Sequence, residues 1–149
     1  MTVIVQNRQE KVKVENGWLS AVRRAAELTL DLLGPKREVE VGITLLDDDG
    51  IRELNRRYRG KDAPTNVLAF PMGEEDPPVL LLGDVVISLE TARSEAEEEG
   101  KEIEEKLAHL TVHGVLHLLG YDHETDAEEA LMREKEEAVL AMWRRERAG

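Results

Sequence analysis

Three histidines in the last third of the sequence set the tightest limit on how this chain can fold. They are His113, His117 and His123 in the stretch HGVLHLLGYDH, and the whole chain has only four histidines. Residues four apart in an α-helix lie on one face, about 6 Å apart along the axis, so the first two imidazoles can converge on one ion. Gly120 can adopt a left-handed conformation that ends the helix and brings His123 to the same point. Three imidazoles with an open fourth position are typical of catalytic zinc sites.

Other interpretations of these histidines remain open. They could be ordinary solvated or core side chains, or ligands of a closed structural site, for which Asp122 is the nearest fourth candidate. The spacing H-x3-H-x2-G-x2-H also matches one class of zinc metalloproteases, whose general base is a glutamate directly after the first histidine. That position is Gly114 in this chain, so the usual mechanism of peptide hydrolysis is not expected.

Two neighbours of the predicted ligands carry expectations of their own. His109 lies one turn earlier on the same helix, beyond easy reach of the same ion, so we expect it on the helix face or behind the ligands. At Gly114, a carboxylate beside a metal would repel an incoming phosphate. If the substrate is a polyanion, a glutamate at this position is expected to slow its cleavage, and it is not expected to create a peptidase.

The charge of the chain is distributed unevenly. The net charge is −12, but residues 1–72 hold 12 Lys/Arg against 11 Asp/Glu, whereas residues 73–149 hold 8 against 21. This excess of negative charge argues against non-specific binding to nucleic acid over the whole surface, because such binding depends on neutralising phosphates. A polyanion would need a local basic surface. One candidate consists of Arg52, Arg56, Arg57, Arg59 and Lys61.

The composition predicts a soluble globular protein with a single domain over residues 1–149. The chain has no cysteine, so it has no thiolate metal site and no cysteine nucleophile. Its first residues lack the apolar core of a signal peptide. The longest apolar stretch, residues 79–89, is too short to span a bilayer. A cytoplasmic location without membrane contact is the simplest expectation.

The hydrophobic pattern alternates between strand-like and helix-like periods. Thr125 with Glu128 forms a capping box that opens the last helix. This order predicts an α+β fold in which about five helices pack on a small four-stranded mixed sheet, with a zincin-like metal helix. The predicted strands are 3–5, 38–46, 67–70 and 80–88, and the predicted helices are 17–33, 48–59, 89–99, 102–119 and 126–145.

Several boundaries depend on single residues. Asn16 is expected to cap the first helix, Pro71 to end the third strand, and Gly83 with Asp84 to interrupt the fourth. Residues 72–78 are expected to form a turn-rich connection.

Two further stretches accompany the histidines in a fixed order. Residues 54–71 read LNRRYRGKDAPTNVLAFP, and residues 82–88 read LGDVVIS. Together with the H-x3-H-x5-H stretch at 113–123, which precedes a polar residue and a final helix, they resemble the YbeY family of bacterial rRNA-maturation endoribonucleases. Three motifs in the family's order are a specific signal, whereas residues 1–46 add little to it.

The resemblance implies a compact α+β fold and one zinc ion held by His113, His117 and His123. It implies single-strand-specific cleavage of RNA, with a role in 3′-end maturation of small-subunit rRNA and in ribosome quality control. The implied partners are the small ribosomal subunit and an assembly GTPase. An essential arginine in the family's Y-R-G-K-D motif falls on Arg59.

The chemistry fits this resemblance without a glutamate base. A metal can act as a Lewis acid on a phosphoryl oxygen, and a guanidinium can offset charge on the transition-state oxygens. Arg59 is predicted in the second role, and Lys61 and Asn66 are predicted to hold backbone phosphates, although all three could be ordinary surface residues. Two rival functions stay open: a non-catalytic ribosome assembly factor with a structural zinc, and a metallohydrolase of small phosphoesters or amides.

Overall fold

The chain alternates between strands and helices, as its hydrophobic pattern predicts. The computed structural model describes residues 1–76 and 79–149. In this part of the chain, the elements are β1 Thr2–Asn7, α1 Trp18–Leu33, β2 Val39–Leu46, α2 Asp48–Arg59, β3 Val67–Asp76, β4 Val79–Ser88, α3 Leu89–Glu99, α4 Ile103–Leu118 and α5 Asp126–Ala148.

The strands form one mixed sheet in the order β1-β2-β4-β3. The pairs β1–β2 and β2–β4 are parallel, and β3 runs antiparallel to β4 along one edge. The predicted α+β class, the four-stranded mixed sheet and the five helices are therefore confirmed. None of the helices in the described ranges is long and apolar enough to cross a membrane.

The prediction that Pro71 ends the third strand is wrong, because β3 continues to Asp76. Proline is tolerated on edge strands and beside bulges, and β3 is an edge strand whose register shifts between Pro71 and Glu74. Most of the turn predicted at residues 72–78 is therefore strand, and positions 77–78 lie outside the described residues. The predicted break at Gly83 is a register shift within a continuous β4.

The two faces of the sheet bury different helices. Successive residues of a strand point to opposite faces, and β4 shows this directly. Val85 packs into the core formed with α1, α3 and α4, whereas Val86 packs with Leu68 of β3 and Ile51 of α2. Three helices therefore cover one face, and α2 covers the opposite face near the β3 edge.

The helix α4 lies in the middle of the molecule, between the sheet and α5. Its inner side, including Leu107 and Val115, belongs to the core on the sheet. Its outer side, including Val112 and Leu116, packs against α1 and α5 in a second core. The indole of Trp143 on α5 also donates a hydrogen bond of 3.2 Å to a backbone carbonyl of α1. Burial on two sides holds α4 rigidly in place.

Several helix ends follow local sequence signals. The side chain of Asp47 accepts from the backbone N–H of Gly50 at the start of α2, and Thr125 forms the predicted capping box at the start of α5. The prediction that Asn16 caps α1 is wrong. The helix follows Gly17, whose φ of 94° lies in the left-handed region that glycine adopts at little cost.

Candidate metal centre

The turn after α4 has the conformation that the sequence predicts. Gly120 has a φ of 100°, which is the left-handed conformation. The N–H of Gly120 donates to the carbonyl of His117, and the N–H of Tyr121 donates to the carbonyl of Leu116, both at 3.0 Å. This pair of bonds is a Schellman motif, which satisfies the last carbonyls of a helix and reverses the chain. The turn carries His123 back toward α4.

The three predicted histidines converge. One ring nitrogen from each of His113, His117 and His123 lies within 4.8 Å of the other two. Their ring centroids are separated by 4.8, 5.0 and 5.4 Å. No further histidine, cysteine or carboxylate from the described ranges completes this group. The cluster can therefore hold a metal ion and leave a fourth position open, which is the arrangement of catalytic rather than structural zinc.

Asp122, the nearest candidate for a fourth ligand, has another role. Its carboxylate oxygen Oδ1 accepts a hydrogen bond of 2.8 Å from the backbone N–H of His123. The carboxylate thus shapes the turn that presents the third histidine, and it does not belong to the convergent group.

The surroundings of His117 favour its neutral imidazole. Burial lowers the pKa of His117, and the neighbouring rings of His113 and His123 lower it further. A histidine must be deprotonated at the ligating nitrogen to bind a metal. The surroundings of His117 therefore keep it in the form that a metal requires.

A buried carboxylate that sequence reasoning missed lies behind the cluster. Glu136 on α5 is only 8% exposed. Its Oε2 lies 2.6 Å from Nδ1 of His113, and its Oε1 lies 3.3 Å from Nε2 of His109. Burial raises the pKa of Glu136, but hydrogen bonds from His109 and His113 outweigh that effect and lower the pKa to about 2. The carboxylate is therefore ionised and accepts from both rings.

A sequence signal for Glu136 did exist. The residue shares one face of α5 with Met132, Val139 and Leu140, which are all buried. A carboxylate at an apolar position of an amphipathic helix is unusual unless it is paired. The expectation for His109 is confirmed, because it lies outside the three-histidine group and contacts Glu136 instead.

Gly114 faces the sheet, and the glycine has a packing role. A Cβ atom built at this position would lie 2.5 Å from Cγ1 and 2.9 Å from Cγ2 of Val85 on β4. Real Cβ atoms essentially never approach another atom so closely. The expectation that a glutamate here would lie beside the metal is therefore wrong, because its side chain would start into the core. The missing carboxylate reflects the close approach of α4 to β4.

The structure separates the five basic residues of the segment 52–61 into two groups. Arg59 and Lys61 are exposed, and neither forms an ion pair with any side chain that the structure describes. The other three lie within 4 Å of a carboxylate, and two of them, Arg56 and Arg57, share the carboxylate of Glu53. These pairs are Arg52–Asp62 at 2.7 Å, Arg56–Glu53 at 2.5 Å and Arg57–Glu53 at 3.6 Å.

Arg59 lies at the end of a helix on one face of the sheet, whereas His113 and His117 lie on a helix that packs against the other face. Arg59 is the last residue of α2, and the loop after it leads to Val67 at the start of the edge strand β3. The helix α4 packs against the same strand from the other face. The elements that carry the basic loop and the histidine cluster therefore meet at the β3 edge.

Asn66 is half-buried and already has a partner. Its side-chain Nδ2 donates to the carboxylate of Glu95 on α3 at 3.1 Å, and its backbone carbonyl accepts from the N–H of Ser88 at 3.0 Å. The same carboxylate lies 3.2 Å from the ammonium of Lys106. The predicted substrate contact at Asn66 thus lies beside an acidic group.

Comparison with known proteins covers nearly the whole chain. A family model described as Endoribonuclease YbeY matches residues 4–144. A protein named Endoribonuclease YbeY from Pelotomaculum thermopropionicum is 48% identical over 145 residues, covering 94% of this chain and 95% of its own. A protein of the same name from Aquifex aeolicus is 47% identical over 140 residues, and the match covers 93% of this chain and 89% of that protein. A solution structure of a Thermotoga maritima protein, 28% identical, matches with a TM-score of 0.59 and covers 97% of this chain and 93% of that one.

Proposed function

This chain belongs to the YbeY family of endoribonucleases, and from that premise we propose that residues 1–149 form a single metal-dependent domain that cleaves single-stranded RNA. The observation that carries the proposal is the convergence of His113, His117 and His123, whose ligand nitrogens lie within 4.8 Å of one another. An open site of this kind suits a catalytic ion better than a structural one.

Zinc is the metal that we propose, with one ion per chain. Three imidazole nitrogens suit zinc, whereas magnesium and calcium prefer oxygen ligands. When bound, the ion would supply Lewis acidity at a phosphoryl oxygen. The chain's own contribution is to hold His117 neutral and to present the three rings from a helix that is buried on two sides.

Arg59 is proposed to act on the substrate and not on the metal. Its guanidinium has no carboxylate partner among the described side chains, so it is available to offset charge on the transition-state oxygens. Lys61 also has no carboxylate partner among the side chains that the structure describes. It is proposed to hold a backbone phosphate of the RNA. An RNA strand that crosses the β3 edge could contact this loop on one side and the cluster on the other.

Asn66 is proposed as a weaker contact to the RNA backbone. One N–H of its amide donates to Glu95, which leaves a second N–H for a phosphate. The carboxylate beside it would oppose a phosphate, so its contribution should be smaller than that of Lys61.

The proposed RNA is the 3′ end of small-subunit rRNA, and the proposed partners are the small ribosomal subunit and an assembly GTPase in the cytoplasm. The net charge of −12 and the aromatic content of 3% support a need for partners. Such a surface offers little phosphate neutralisation or base stacking, so a ribosomal particle would supply much of the positioning.

Cleavage of end-labelled single-stranded RNA, with the new end groups identified, tests the proposal against its rivals. The wild-type protein with zinc should cut the RNA, and His117→Ala should not. A double-stranded RNA of the same sequence should resist cleavage. Absence of cleavage by the wild type, with binding to ribosomal particles intact, would favour the assembly factor. Hydrolysis of small phosphoesters but not RNA would favour the small-molecule hydrolase.

A further inference from the structure

One buried carboxyl group, that of Glu136, contacts the histidine cluster and has no part in the function as proposed so far. We propose that Glu136 is a positioning residue of the metal centre, which fixes the tautomer and the orientation of His113. This inference rests on the proposed metal site, and it assigns to α5 a direct influence on metal affinity.

The hydrogen bond between the two residues determines which ring nitrogen is free. The contact of 2.6 Å places a carboxyl oxygen of Glu136, which can accept a hydrogen bond, against Nδ1 of His113, and we assign the hydrogen to that nitrogen. A neutral imidazole has one N–H and one lone pair, so the lone pair is on Nε2. A histidine ligand whose other nitrogen donates to a carboxylate is also held in orientation and made more basic.

The carboxylate is itself fixed from two sides. Met132, Val139 and Leu140 on the same face of α5 pack against α1 and α4 in the second core. The second oxygen of Glu136 lies 3.3 Å from Nε2 of His109, one turn before His113 on α4. A buried charge is costly unless it is paired, and these two rings provide the pairing. His109 thus acts on Glu136 and has no direct part in the cluster.

Among the residues that the structure describes, His113 is the one cluster member with such a partner. The rings of His117 and His123 contact other rings of the cluster and make no hydrogen bond to a described protein group. Loss of Glu136 should therefore release one ligand and leave the other two as they are.

The zinc affinity of folded variants, measured by competition with a chromogenic chelator, tests this inference. Glu136→Leu should bind zinc about 10–100-fold more weakly than the wild type. Glu136→Gln keeps a carbonyl oxygen that can accept a hydrogen bond from Nδ1–H of His113. Its zinc affinity should therefore lie between that of the wild type and that of Glu136→Leu. His109→Ala, which removes one partner of Glu136 but no ligand, should weaken binding far less than Glu136→Leu. Glu134→Gln, an exposed neutralisation on the same helix, is the matched control and should bind like the wild type.

The visible spectrum of bound cobalt adds a readout that loss of stability alone would not change. The spectra of Glu136→Leu and Glu136→Gln should differ from the wild-type spectrum, since the orientation of one ligand has changed. Wild-type affinity in the folded Gln and Leu variants would overturn the inference. If His117→Ala also bound zinc like the wild type, the histidine cluster itself would be wrong, and the two failures are thereby distinguishable. Should Leu prevent folding, the Gln variant alone decides.

Discussion

The contact between α4 and β4 at Gly114 predicts a specific coupling between two positions. An alanine Cβ at 114 would lie 2.5 Å from Cγ1 and 2.9 Å from Cγ2 of Val85, about 1 Å inside an ordinary carbon–carbon contact. Overpacking of a core costs about 1–3 kcal/mol. The better helix propensity of alanine offsets up to about 1 kcal/mol. Gly114→Ala should therefore destabilise the fold by about 0–2 kcal/mol.

Val85→Ala should relieve most of this clash. It deletes both γ-carbons, and the nearest remaining atom of the side chain is Cβ, 3.3 Å from the added carbon. Alone it should cost about 2 kcal/mol, from two lost methyl groups and the space they leave. Gly114→Ala and Val85→Ala together should therefore cost about 1–3 kcal/mol less than the sum of the single changes, since each relieves the other.

Equilibrium unfolding in urea of the four metal-free proteins measures this coupling. Val86→Ala is the matched control, because Val86 points to the opposite face and packs with Ile51 and Leu68. Its effect should add to that of Gly114→Ala. Additive energies for the Val85 pair would refute the packing explanation. Because the obstacle at Gly114 is lack of space and not charge, Gly114→Glu and Gly114→Gln should impair RNA cleavage equally. A slower cleavage rate in the glutamate variant alone would favour the electrostatic explanation instead.

Three further predictions concern Arg59, the loop after it and the Glu99–Lys106 ion pair. Arg59→Glu should abolish RNA cleavage without loss of zinc. Arg57→Glu removes a cation that already lies beside Glu53, so it should slow cleavage far less. Cleavage rates and the zinc content of both variants test this. Lys61→Ala should weaken RNA binding more than Asn66→Ala. In a plot of the logarithm of the RNA association constant against the logarithm of the salt concentration, Lys61→Ala should also reduce the steepness of the slope by about 1. A hydrogen bond from Lys106 holds the pKa of Glu99 below its usual 4.5, so the pair stabilises the fold above that pH and the contribution disappears as the pH falls through the folded pKa. The destabilisation by Glu99→Gln should accordingly be measurable by urea unfolding at pH 7 and become smaller as the pH is lowered below 4.5.

Local signals in the sequence were sufficient for the parts of the site that lie close together along the chain. The spacing of His113 and His117 requires only a helix, and Gly120 requires only one left-handed residue after it. Both features follow from nearest neighbours along the chain. The convergence of the three rings was therefore predictable without knowledge of the tertiary structure.

The remaining features depend on tertiary packing. Glu136 is 23 residues from its partner His113, and only the docking of α5 onto α4 brings them together. Pro71 looked like a strand end because the sequence does not reveal that β3 is an edge strand. Gly114 looked like a chemical adaptation because its contact with Val85 joins two elements far apart in the chain.

The central claim is that the ion held by His113, His117 and His123 is required for RNA cleavage, and a metal titration tests it most directly. The protein is stripped with a chelator, zinc is returned in steps, and bound metal and the rate of single-stranded RNA cleavage are measured on the same samples. We expect no cleavage without metal and a rate that rises in proportion to occupancy up to one ion per chain. Full cleavage by the stripped protein, or a rate independent of occupancy, would contradict the claim.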